Sequence, residues 1–389
     1  MKKYLFFPVV AFLSLSPGSL ADSPQTVGNA DRGEELFNQE LPNLHGNGRS
    51  CATSHVTNDG FQLSPAHVEQ RYQSLQKRRL TDPGADDPLF RPIDANDGVA
   101  DFTNLRQHAL VRIFIELPKD AQGQKLVWPV DDPDATVVSV WRATPTVMNT
   151  AFTGPYQLDG RQPSLQSQAL GALINHSEID KVPKAKILDN LAAFENEQFS
   201  SKPVKRLAQA LANGETPGPT DPPLNELELR GKAFFEHNCI FCHGGATQII
   251  RDERSVPAVQ DIRISRPLPP FTDGIPFKPA FLQPRLWAFR VAGQAEPTIV
   301  PSTDPGKALI SESIDELNFF EIPTLFGISK TAPYFHDNSA DTLEEVIRHY
   351  QHDFDAIRRV IPEFLPFPLR PDPITDDQIA PMVAYLKKI

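Results

Sequence analysis

The sequence predicts a mainly α-helical fold in which two similar units are joined by long Pro-rich loops. Three observations carry this. Cys239-Ile240-Phe241-Cys242-His243 is a C-x-x-C-H run, the attachment signature of a c-type haem. A weaker copy, Cys51-Ala52-Thr53-Ser54-His55, lies upstream, and 38 prolines among 389 residues favour short helices between stiffened loops over a large sheet.

The spacing of the complete run has a mechanical reason. Two cysteines three residues apart share one helical turn and reach both vinyl groups of one porphyrin, while the adjacent His243 points its imidazole at the iron. A lone C-x-x-C would give zinc only half its ligands. Cys239 and Cys242 are therefore read as the covalent attachment and His243 as an iron ligand.

The N-terminus bears on the compartment. Lys2 and Lys3 precede an apolar run from Tyr4 to Leu15, and Ser19-Leu20-Ala21 supplies a small-x-small cleavage pattern, so residues 1–21 are read as a signal peptide. The run is short for a membrane span and Pro8 interrupts it. The expectation is an exported, periplasmic chain with no membrane span once mature, consistent with haem attached outside the cytoplasmic membrane. Its formal charge of −11, more negative by two without Lys2 and Lys3, argues against nucleic acid as a partner.

From Asp22 onward the odd cysteine, Cys51, is explained by repetition. Arg32-Gly33-Glu34-Glu35-Leu36-Phe37 precedes Cys51 much as Arg230-Gly231-Lys232-Ala233-Phe234-Phe235 precedes Cys239. These are two cytochrome-c-like units of the class I kind, each with a helix whose glycine admits another helix closely. Asn225 and Glu228 open the second unit's first helix, with Leu227, Gly231 and Phe234 on its inner face. Thr375 and Gln378 open its last helix, with Ile379, Val383 and Leu386 inward and Pro381 bending it or delaying its start. Residues 187–199 read as helical, with Ala192, Ala193 and Phe194 packing inward. Residues 213–224, rich in Pro and Gly, mark the linker between an N-terminal domain, 22–212, and a C-terminal domain, 225–389.

With these motifs in order, together with RATPTVMNTAF at Arg142 to Phe152, LDGR at Leu158 to Arg161, Gln168-Ala169, Glu178, and IPTL with KTAPYFHD between Ile322 and Asp337, the chain resembles the bacterial di-haem cytochrome c peroxidase superfamily, which includes MauG. The resemblance covers most of the mature chain. It implies two haem c groups, the first with an open side that takes hydrogen peroxide and the second with two axial ligands, and an electron donor that is a small c-type cytochrome or a protein substrate. It assigns His55 as ligand of the first iron, through the Cys51 attachment, and His243 of the second. Gln168 and Glu178 become the distal pair that handles peroxide, a carboxylate being able to move a proton between the two oxygens and an amide to fix the pose. Tyr350, fourteen residues after His336 on a helix opened by Thr342 and Glu345, becomes the sixth ligand of the second haem, with His349 and His352 as alternatives. Phenolate donates more charge than a thioether and stabilises ferric or higher iron.

Four positions depart from the family pattern. Ser54 replaces the second cysteine of the first run, so only one thioether is chemically possible there. Leu158 stands where the family places a tryptophan between the haems, leaving Tyr156, Trp141 or Trp128 as substitutes. Ala143 replaces an asparagine that helps bind calcium, and although carbonyls of Thr331 and Pro333 remain, the loss of a ligand counts against calcium. Ala172 replaces a distal proline. Two readings follow: a haem oxidoreductase that retains its first haem on one thioether, or an electron-transfer cytochrome that has lost it. A third and weaker option is a binding module whose first domain docks a partner.

Overall fold

The computed structural model describes residues 27–120, 122–249, 264–265, 282–360 and 371–389. The signal-peptide reading of residues 1–21 falls outside them. In chain order the elements are α1 (Ala30–Asn38), α2 (Pro65–Arg79), α3 (Thr103–His108), β1 (Leu110–Glu116), β2 (Val127–Pro129) and β3 (Val137–Ala143). They continue as α4 (Leu165–Asn175), α5 (Ala185–Asn196), α6 (Lys202–Ala212), α7 (Glu226–Asn238), α8 (Ile240–His243) and β4 (Ile264–Ser265). The remainder are β5 (Arg285–Phe289), β6 (Thr298–Ser302), α9 (Ala308–Ser311), β7 (Phe320–Glu321), α10 (Leu343–Val360) and α11 (Asp376–Leu386). Among the described residues the fold is mainly helical, with three sheets of two, three and two strands. No described helix is long and apolar enough to cross a membrane.

The two units are built on the same crossing. α1 packs on α5 and α7 packs on α11. At each crossing a glycine lies against a carbonyl: a Cβ on Gly33 would stand 2.0 Å from the Asn190 oxygen, and one on Gly231 1.9 Å from the Pro381 oxygen. Only a residue without a Cβ permits this approach. The caps are the ones the residues dictate. Asn29 accepts from the Arg32 amide at 2.7 Å, Asn225 and Glu228 satisfy each other's amides at 3.0 and 2.8 Å, and Thr342 and Glu345 do the same at 3.2 and 3.0 Å.

Two local expectations shift. The buried side of α7 is Glu228, Gly231, Phe235 and Asn238, while Leu227 is 44% exposed, because the glycine crossing sets the helix rotation. α11 begins at Asp376 with no delay and carries Pro381 inside it, burying Ile379, Met382, Tyr385 and Leu386. Val383 is only partly buried.

The linker region, 213–224, holds no regular helix or strand, as its prolines require. The cores nevertheless do not divide there. β5 and β6 form a hairpin whose strand β5 pairs with β2, Val127 facing Phe289 and Pro129 facing Trp287. Trp287, Phe289, Ala308 and Leu309 share one core with Val68, Leu75, Ile113 and Val140. Chain from the second unit thus completes the first. A second seam joins them at Asn149, which is buried: its amide donates to the Phe326 carbonyl at 2.9 Å and its oxygen accepts from Ser200 N at 3.0 Å.

Gly231→Ala should lower stability by roughly 1–3 kcal/mol, since its methyl can enter only by forcing the helices apart. Gly218→Ala, at a position with nothing within 4 Å, should change it by less than about 0.5 kcal/mol. Thermal unfolding of both variants in the haem-loaded chain checks the difference.

Candidate active site

The two Cys-to-His turns are constructed alike. Each histidine amide closes onto the carbonyl of the first cysteine, His55 to Cys51 at 3.0 Å and His243 to Cys239 at 2.8 Å. Each ring then meets a carbonyl through Nδ1, His55 with Phe61 O at 3.1 Å and His243 with Gln248 O at 3.3 Å. A carbonyl can only accept, so Nδ1 carries the proton and the Nε2 lone pair is left for a metal. Phe61 and Gln248 both hold positive φ, 59° and 56°, which aims those carbonyls inward. The turns are locked by equivalent threonines, Thr146 donating to Gly60 O at 2.6 Å and Thr324 to Thr247 O at 2.8 Å.

Both turns open onto one connected cavity of about 1450 Å³, lined by His55, Cys51, His243, Cys239, Cys242 and Tyr350 among others. That volume exceeds the usual span of roughly 300–1,000 Å³ for a small-molecule pocket. Two half-buried Cys-to-His turns with Nδ1 tethered, facing a mostly apolar cavity of this size, fit haem c. Burial pushes the Cys51 and Cys239 thiols up to about 12 and Cys242 to about 11, and depresses both histidines, His243 to about 4. Neutral imidazole is the form that ligates iron.

The opposite wall shows how the two sites differ. Pro155-Tyr156 and Pro333-Tyr334 begin equivalent loops: bridges pair Tyr156 with Gln162 and Tyr334 with Ala340, and Gln157 and Phe335 share φ 72°. The loops run into α4 at Leu165 and α10 at Leu343. Counted from Asp159 and Asp337, Ala172 and Tyr350 occupy the same position. Both line the cavity. Burial raises the Tyr350 phenol above its ordinary value, with the Cys242 and Cys239 thiols and Asp353 adding to it, which places the ring beside the second attachment turn. His349 also lines the cavity, with Nε2 3.0 Å from Asp353 Oδ2, while His352 does not line it. At the first site the equivalent residue is a methyl group.

The distal residues expected from the sequence part company. Gln168 lines the cavity, and its Oε1 is buried without a hydrogen-bond partner among the described residues. Glu178 does not line it; it is exposed, has φ 51°, and accepts from Asn47 Nδ2 at 2.7 Å. The same amide donates to the His176 carbonyl at 2.9 Å. His176 does line the cavity, as does Glu195, and sequence reasoning missed both. The signal for His176 was its spacing on α4, eight residues after Gln168. Of the three aromatic substitutes for the missing tryptophan, Tyr156 lines the cavity, whereas Trp128 packs on the core and Trp141 lies under Arg112. Leu158 is met across the seam by Glu321, whose amide donates to its carbonyl at 2.8 Å.

Glu195 is 4% exposed, and burial alone raises its carboxyl to about 8. The folded chain therefore holds this proton more tightly than the unfolded chain, whose carboxyl keeps the ordinary value of 4.5. Its contribution to stability is complete below about 4.5 and is lost as pH rises toward 8. Glu195→Gln should remove that slope, gaining a few kcal/mol on the native chain between pH 5 and pH 8, as urea unfolding at the two pH values would show.

Residues 29–213 match the family described as di-haem cytochrome c peroxidase. A cytochrome c551 peroxidase of Nitrosomonas europaea is 25% identical over 223 residues, which is 52% of this chain and 56% of that relative. The match thus spans little more than half of the relative's length. A MauG-like protein associated with microbial copper homeostasis shares 18% identity at a TM-score of 0.46, over 94% of this chain and 90% of its own. A variant of the di-haem peroxidase BthA from Burkholderia thailandensis shares 15% at 0.42, over 97% and 88%.

Proposed function

We propose that this chain, whose residues 29–213 match the di-haem cytochrome c peroxidase family, uses hydrogen peroxide to oxidise an external donor in the periplasm, with haem c at both Cys-to-His turns. The observation that carries the reading is the pairing of Ala172 with Tyr350: the same helix position offers a ligand at the second site and none at the first. Tyr350 would close one side of a haem at the second turn, and Ala172 would leave room for peroxide at the first.

Haem c supplies the redox chemistry at each site. The chain's own residues supply the rest. His55 and His243 present Nε2 toward the cavity because Nδ1 is engaged. Gln168 lines the cavity with an unpartnered Oε1, which would accept a hydrogen bond from peroxide. The mostly apolar walls exclude water, which strengthens each polar contact made inside. Glu178 acts on this wall at one remove, through the Asn47 amide it shares with the His176 carbonyl. The chain's net charge of −11 would steer a positively charged donor, such as a small c-type cytochrome.

Ser54 favours the second reading, an electron-transfer cytochrome without its first haem. Haem content by pyridine haemochrome decides between them. Two haems per chain are expected, one on a single thioether with a displaced α-band, and one per chain from a competent attachment system would leave the electron carrier.

Tyr350→Phe should convert the second haem from low-spin to high-spin and raise its potential, since a phenolate stabilises ferric iron. Unchanged spectrum and potential in the variant would take Tyr350 out of the ligand set.

A further inference from the structure

We propose that His176, and not Glu178 two residues on, is the group that carries the peroxide proton at the first haem; the proposal deepens the peroxidase reading and rests on it. Gln168, Ala172 and His176 recur at every fourth residue, so they share one face of α4 and its C-terminal cap, and all three line the cavity. On α10 the middle position of this face carries Tyr350. On α4 it carries a methyl, flanked about 6 Å away by an amide on one side and an imidazole on the other.

Both flanking groups point to a polar ligand. Gln168 Oε1 is buried without a partner among the described residues, and the His176 ring lines the same cavity. A buried amide oxygen left without a donor is unfavourable unless something polar fills the space beside it. The backbone under His176 is fixed. Its carbonyl accepts from Asn47 Nδ2 at 2.9 Å and Arg49 Nη1 at 3.4 Å, and Arg49 is itself buried against Asp94 at 2.7 Å. Burial holds the imidazole down to about 4; of the charged groups that face the ring, Asp94 opposes this while Arg49, His55 and Arg161 act with it. At neutral pH it is a free base.

In the step, one peroxide oxygen gives its proton to the open ring nitrogen of His176. The nitrogen returns that proton to the other oxygen as the O–O bond breaks. One water leaves, and a haem c held by Cys51 and His55 would supply the two electrons that the cleavage consumes.

The test uses the full chain with both haems confirmed, and cyanide as probe, because hydrogen cyanide must also lose a proton to bind ferric iron. In His176→Leu the cyanide association rate and the rate of the peroxide-induced spectral change should each fall by about 10²-fold or more. Added imidazole should restore part of both, and the spectrum of the second haem should not change. His176→Gln, which keeps a hydrogen-bonding side chain on the pinned backbone, should lose rate similarly and serves if His176→Leu does not fold. Native rates of cyanide binding in either variant would overturn the proposal, as would conversion of the resting first haem from low-spin to high-spin, which would make His176 a ligand. A native protein that takes up neither cyanide nor peroxide would instead overturn the peroxidase reading.

Discussion

Arg142 is the constraint on which the rest of the cavity depends. It is 2% exposed, and its guanidinium is gripped from two sides, by Asp304 at 2.6 and 3.0 Å and by Asp159 at 2.6 Å, with Arg161 completing a neutral cluster on Asp159. Burying charges this deeply is tolerable only when each is matched, because a single unpaired member would cost about 3–5 kcal/mol. The three segments that supply them are therefore fixed relative to one another: the end of β3, the loop before α4, and the stretch after β6. Three residues past Arg142 comes the Pro145 carbonyl that helps hold the His55 ring. The adjacent Ala143 amide donates to His336 O at 2.7 Å. One buried cation thus aligns the first ligand, the distal helix and the seam.

Around that anchor the chain uses one scaffold twice and varies what faces the cavity. The glycine crossings, Nδ1 tethers, threonine locks and tyrosine loops recur at equivalent positions in the two units. The differences lie at the contact positions. Ser54 stands where the second unit has Cys242, Ala172 where it has Tyr350, and Glu195 on α5 corresponds to Leu386 on α11, all of them lining the cavity. The second unit turns a phenol toward the cavity where the first has a methyl, and the first lines it with the polar groups Gln168, His176 and Glu195. Such divergence within a conserved frame suits two irons with separate duties.

What could be read from the sequence was whatever covalent chemistry or local hydrogen bonding writes into short spacings. Cys239 to His243 declares itself because two thioethers and a ligand require that run. Cys51 to His55 is legible only beside Arg32-Gly33, by comparison with the second unit. The caps at Asn225, Thr342 and Thr375 are set within four residues. By contrast, nothing local says that the 285–302 hairpin joins the first unit, since its pairing with β2 spans more than 150 residues. Leu227 was misplaced because helix rotation is set by the Gly231 crossing and not by periodicity alone. Glu178 and His176 differ by two residues, yet a positive φ at Glu178 turns one outward while the other faces the cavity. Burial, which makes Glu195 an acid near 8, leaves no mark in composition.

The loss of one cysteine at the first site weighs less than its place in the motif suggests. A covalent tether acts mainly by making binding intramolecular, and the first bond already achieves this. A second bond to the same group adds orientation more than occupancy. At the first turn, orientation has other sources: the His55 ring is fixed through Nδ1, Thr146 locks the turn, and Leu165, Ala169 and Leu173 of α4 close the far wall. Those walls persist whether position 54 is cysteine or serine. For a haem held at this turn, the physical consequence of Ser54 should therefore appear in its electronic spectrum and potential before it appears in haem content, because a porphyrin attached through Cys51 alone would keep one vinyl group in conjugation while His55 would be presented to its iron unchanged.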